Sequence, residues 1–154
     1  MTTIDELWTD RRLPVRDALH FPGDGGSYDV VRDPYVLGCL GVREAFDAPK
    51  VIAEDPEWLT TLMPLEEVPL EDGGFLWGGE GSWGSEGFFA RVGADDSLRW
   101  VVFFTDSNPF EDPIDLSDGY ATFRSSADLS FIVDIEDPRR PVRSPRPRGQ
   151  TPSA

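Results

Sequence analysis

Apolar and polar residues alternate with a period of two through much of the C-terminal half of the chain, as they do in strands whose two faces meet different surroundings. Phe88, Ala90 and Val92 alternate with Phe89 and Arg91. After a polar loop at Gly93–Ser97, Leu98, Trp100, Val102 and Phe104 fall on one face, and Arg99, Val101, Phe103 and Thr105 on the other. Both faces are largely apolar, which predicts a central strand covered on both sides. Tyr120–Ser125 and Leu129–Ile135 read as two further strands. In the last, Leu129, Phe131, Val133 and Ile135 point to a core, Ser130 and Asp134 point outward, and Ile132 breaks the pattern. The short connections predict that these four strands form an antiparallel meander. A shorter strand is expected at Phe75–Trp77, followed by an irregular Gly-rich loop.

The N-terminal half is less regular. Thr3-Ile4-Asp5-Glu6 matches a capping box and predicts a helix from Ile4 to about Arg12, with Pro14 beyond its end. Tyr28–Val31 and Tyr35–Leu40 are strand candidates, the second equally readable as a short buried helix. Lys50–Ala53 is another short strand candidate. Asp55-Pro56-Glu57 offers a cap, a first-turn Pro and an acid, predicting a helix from Pro56 to about Met63 that Pro64 stops. Leu65–Asp72 reads as an acidic connector. The class expected is α+β: an antiparallel sheet, with a C-terminal meander of about four strands and two short helices in the N-terminal half. Residues 1–137 are expected to form one domain. Residues 138–154 are rich in Arg and Pro, with Val142 their one branched apolar residue, and read as a disordered tail.

Charge narrows the range of partners. All 29 acidic residues lie at or before Asp137, so residues 1–138, with 9 bases, carry a net −20, while five arginines follow. Such a domain repels nucleic acid and anionic membranes, and its acidity either steers it toward basic proteins or serves solubility alone. No apolar run approaches the roughly 20 residues of a membrane helix. The opening Met-Thr-Thr-Ile-Asp-Glu has no apolar leader pattern, and Cys39 is the single cysteine, so a cytoplasmic protein is expected.

Catalytic and cofactor patterns are weak. Gly79-Glu80-Gly81-Ser82-Trp83-Gly84 matches G-x-G-x-x-G, but a β-patterned segment follows instead of a helix, and Glu80 would stand near the phosphates. One His20 and one Cys39 cannot supply a zinc set. Asp106, Asn108, Glu111, Asp112, Asp115 and Asp118 crowd one connection, yet Pro109, Phe110 and Glu111 depart from a calcium-binding loop. No cofactor, metal or catalytic set is therefore assigned. Trp77 and Trp83 flank a glycine-rich stretch, where aromatics serve either as sheet core or as interface anchors. The candidate partner surface comprises Trp77, Glu80, Trp83 and Glu86 before the hairpin, and Asp106, Asn108, Phe110, Glu111 and Asp112 after it. Because the two intervening strands form a hairpin, both groups are expected on one rim of the sheet.

An acidic single-domain chain in which Leu98-Arg99-Trp100-Val101-Val102-Phe103-Phe104 is followed by Ser107-Asn108-Pro109-Phe110 resembles small acidic bacterial proteins, among them immunity proteins of polymorphic toxin systems. The resemblance spans residues 73–137. It implies a non-enzymatic protein that binds and neutralises a cognate toxin. The alternatives are a hydrolase using carboxylates of the Asp106–Asp118 connection and a structural component of a phage or secretion apparatus.

Overall fold

The computed structural model describes residues 1–143. Helix α1 (Ile4–Thr9) begins where the capping box places it, with the Thr3 hydroxyl accepting the Glu6 amide at 3.2 Å. It ends three residues before Arg12, because Arg11 turns left-handed (φ 57°) and releases the chain into β1 (Arg12–Pro14). Strands β2 (Ala18–His20), β3 (Ser27–Arg32) and β4 (Leu40–Phe46) follow as an antiparallel meander. The strand expected at Tyr35–Leu40 is instead a tight turn: Cys39 is left-handed (φ 68°), and its amide and carbonyl bond to the Val36 carbonyl and the Asp33 amide.

Helix and strand exchange places in the next segment. Lys50–Ala53, expected as a strand, lies within helix α2 (Ala48–Glu54). Asp47 caps this helix through the Lys50 amide at 3.1 Å, Pro49 occupies its first turn, and Ala48 and Ile52 bury one face. The helix expected over Pro56–Met63 is absent. Asp55 and Pro56 close α2, and the chain continues as β5 (Leu59–Thr61) and β6 (Met63–Pro69). Thr60 and Leu62 point inward while Thr61 and Met63 point outward, so the period-two pattern prevails over the helical spacing of Leu59, Leu62 and Met63. The expected acidic connector thus contains an edge strand, carrying Pro64 and Pro69 as natural guards against further pairing.

Strands β7 (Phe75–Glu80), β8 (Gly87–Val92) and β9 (Leu98–Phe104) complete a seven-stranded antiparallel sheet in the order β4-β3-β2-β9-β8-β7-β6. The antiparallel character agrees with expectation, but the sheet is larger than a four-strand meander. The four strands read from the sequence also divide between two sheets. Strands β8 and β9 belong to the large one. Strand β11 (Tyr120–Arg124) and β12 (Ser130–Asp134), with β10 (Asp115–Ser117), form a separate three-stranded sheet. A third pair, β1 with β5, forms a two-stranded ribbon.

Two cores lie on opposite faces of the large sheet. One joins α1, α2 and the ribbon to Trp77, Phe88, Ala90, Val101 and Phe103. The other joins the three-stranded sheet to Leu76, Phe89, Trp100, Val102 and Phe104. This accounts for the two apolar faces of β9. One detail departs from simple alternation: the register shifts between Arg91 and Val92, so Leu98 leaves the face of Trp100 and joins the helical core. Phe89 is fully buried, stacked on Phe123 at 4.4 Å and meeting Phe110 edge-on at 5.0 Å. Its side chain ties the two sheets together.

The first residues of the expected tail are packed. Arg139 lies over Phe21 at 4.4 Å, donates to the Tyr28 hydroxyl at 3.0 Å and pairs with Asp137 at 2.7 Å. The rest of that segment, 144–154, lies outside the described residues.

Candidate functional site

The turn between β7 and β8 and the segment leaving β9 are stitched together. The Asn108 amide donates to the Ser85 carbonyl at 2.8 Å, the Phe110 amide to the Gly79 carbonyl at 3.0 Å, and the Ser85 hydroxyl to the Thr105 carbonyl at 3.1 Å. The hairpin therefore brings its two flanks to one rim, as its pairing requires.

The nine candidate residues separate by burial. Trp77 is core: it stacks on Trp8 at 6.3 Å, lies under Arg11 at 4.4 Å and donates its indole N–H to Glu67 at 3.0 Å. Phe110 is buried against Phe89 and Phe131. Glu86 is also buried. These three offer no surface to a partner. Asn108 is half-buried and left-handed (φ 61°), a turn residue that fixes the corner. Glu80 is half-buried opposite Met63. Trp83, Asp106, Glu111 and Asp112 are exposed.

Glu86 organises the rim from below. Its carboxylate accepts the Thr60 hydroxyl at 2.5 Å and the Trp83 amide at 3.3 Å. Burial raises its pKa above the ordinary carboxylate value, and those two hydrogen bonds oppose the rise. The glycine fingerprint belongs to this packing. A side chain on Gly81 would strike the Glu86 carboxylate and the Thr60 hydroxyl, and Gly84 turns left-handed (φ 79°) in open space. Strand β8 follows, so the segment lacks the helix N-terminus that cradles a phosphate.

Trp58 is the rim residue that the sequence reading missed. It leaves the turn after α2, and its ring centroid lies 5.3 Å from that of Trp83, the planes tilted by 52°. Trp58 and Trp83 are 47% and 55% exposed, large values for so apolar a residue. The helix expected at Pro56–Met63 concealed Trp58. Its position after Asp55-Pro56-Glu57, a turn composition, was the available signal.

The remaining chemistry-bearing groups lie elsewhere. His20 is wholly buried, its Nδ1 2.7 Å from the Ser27 hydroxyl and its ring edge-on to Phe46. Burial, with a smaller contribution from Arg16, lowers its pKa to about 3, so the imidazole is neutral at ordinary pH. Cys39 is half-buried in its turn. Among the described residues no group of three or more His, Cys, Asp or Glu is arranged to hold a metal ion, and no helix is long and apolar enough to cross a membrane. The chain matches no family model, no curated protein and no solved structure.

Proposed function

We propose that the chain is a non-enzymatic, acidic protein-binding module of the immunity type, which neutralises a basic toxin in the cytoplasm by covering it. The observation that carries this reading is the rim: two tryptophans are about half exposed, one of them on a turn with exposed Asp55 and Glu57, on a domain whose first 138 residues carry −20. Exposed tryptophan costs solubility unless a partner covers it, and Trp is enriched among residues that dominate interface energy. The surrounding acids favour a basic partner and disfavour nucleic acid. The carboxylate-hydrolase alternative draws less support, because Asp106, Glu111, Asp112, Asp115 and Asp118 all stand exposed rather than converging in a desolvated pocket.

The test is capture of partners on the immobilised full chain, followed by association rates over a range of salt. A basic protein is expected, with an association rate falling roughly tenfold or more as screening increases. An acidic partner, association indifferent to salt, or no specific partner overturns the proposal.

A further inference from the structure

We infer that the Trp58–Trp83 pair receives an arginine side chain of the basic partner, held against the indole faces with help from the neighbouring carboxylates. This rests on the protein-binding reading and specifies its central contact.

The chain displays its own manner of holding a guanidinium. Arg11 lies 4.4 Å from the Trp77 centroid and 5.7 Å from that of Trp8, and pairs with Asp96 at 3.1 Å. Arg16 lies 4.2 Å from Phe46 and pairs with Asp29 at 2.9 Å. Arg139 covers Phe21 and Tyr28 and pairs with Asp137. In each case an aromatic face and a carboxylate share one arginine. Trp58 and Trp83 supply the aromatic part of that arrangement without the cation: among the described residues no arginine or lysine lies over either ring. Asp55 and Glu57 stand exposed on the turn that carries Trp58.

The Trp83 ring and the Trp58 backbone are anchored before any partner arrives. The Trp83 indole N–H reaches the Leu59 carbonyl at 3.4 Å, and the Trp58 carbonyl accepts the Val15 amide at 3.1 Å. Beneath them the Ser82 amide donates to the Thr60 hydroxyl at 2.9 Å, and that hydroxyl donates onward to Glu86. Anchoring one ring and packing the other against it reduces the conformational freedom lost on binding. The planar guanidinium stacks on indole better than a compact ammonium does, so arginine is preferred to lysine.

The probe is a capped Gly-Arg-Gly-Arg-Gly peptide, compared with its lysine and citrulline counterparts. Binding to the full chain is followed through the indole N–H resonances of its tryptophans. The arginine peptide is expected to move the Trp58 and Trp83 signals and leave Trp8, Trp77 and Trp100 in place. Trp58→Ala or Trp83→Ala is expected to weaken binding by roughly tenfold. Trp83→Phe, which keeps a smaller ring, is expected to lose less. The lysine peptide should bind more weakly, and the citrulline peptide should not bind measurably. Affinity unchanged by the tryptophan substitutions means that arginine is held elsewhere on the acidic surface; the inference then falls while the protein-binding reading stands. Equal binding of citrulline also overturns it. So does failure of every peptide to bind, in which case partner capture judges the broader reading separately. A chain ending at Arg143 whose Trp58 and Trp83 signals already differ without peptide shows that the occupant is the chain's own tail, and overturns the assignment to a partner.

Discussion

Replacing His20 by Asn should flatten the acid side of the stability profile. The imidazole is fully buried with a pKa lowered from 6.5 to about 3, so the folded state stays neutral while the unfolded chain takes up a proton below pH 6.5. The unfolded state thus binds more protons in this window, and stability falls as pH falls. At about 1.4 kcal/mol per pH unit, His20 removes about 2 kcal/mol between pH 6.5 and 5, and about 5 kcal/mol by pH 3. The first figure is a large fraction of the roughly 5–15 kcal/mol that stabilises a typical domain. The window above pH 5 separates His20 from Asp33, Asp72 and Asp95. Their carboxyls are held below the ordinary range by hydrogen bonds, so they lose stability only as pH approaches or passes below the usual carboxylate value. Glu86 acts in the opposite sense, since a raised carboxylate pKa favours the folded state on acidification. Asparagine places a polar atom near the position of Nδ1 and can keep the bond to Ser27, but it cannot titrate. The variant should be less stable at pH 7, for loss of ring packing on Phe46, yet show little loss between pH 6.5 and 5 beyond what both proteins share. Urea unfolding at half-unit pH steps measures the difference. Parallel profiles for the two proteins, or an imidazole that titrates near pH 6.5 by NMR, refute the reasoning.

Other perturbations test the rim and the cores. Glu86→Gln should match or exceed the wild-type melting temperature at pH 7, because the amide oxygen can still accept from Thr60 and Trp83 without the cost of a buried charge. Glu86→Ala should lose about 1–3 kcal/mol in chemical denaturation, as the Thr60 hydroxyl and Trp83 amide lose their acceptor. Gly81→Ala should destabilise by about 1–3 kcal/mol, since its methyl group would strike Glu86; a neutral effect in thermal unfolding contradicts the close packing described. Phe89→Ala should cost about 3–5 kcal/mol and expose the seam between the sheets to a hydrophobic dye.

The parts of the fold legible in the sequence are those where one physical rule acts alone. The apolar faces of β8 and β9 mark a strand buried on both sides, and the molecule places a core on each. The Thr3 cap is local and was readable for the same reason. Val51-Ile52-Ala53 was not, because a run this short satisfies helix and strand alike until Asp47 and the buried face of Ala48 and Ile52 decide. The three residues of β2 are too few to carry a period, and the slip of Leu98 follows from a register shift that no alternation reveals. At the rim, Trp77 and Trp83 look alike in sequence, each beside glycine. Their fates diverge because Trp8 and Arg11 arrive from the N-terminus to cover one and not the other. Burial of this kind depends on contacts between distant residues, which a local pattern cannot encode.

The position of β2 in the large sheet has a kinetic consequence. It pairs with β3 on one side and with β9 on the other, so Leu19 must wait for Val102. The β2–β3 and β3–β4 pairs join neighbours in sequence, but the other edge of β2 has no partner until β9 is available. Closing so long a loop before any contact rewards it makes folding slow, in the range typical of proteins rich in non-local strand pairs. A nascent chain therefore carries an unpaired β2 edge, closed in the folded sheet by β9, until β9 has been made, and self-association through that edge is the expected route of misfolding. A chain rearranged so that β9 follows β2 closely in sequence should fold faster to the same set of strand pairs.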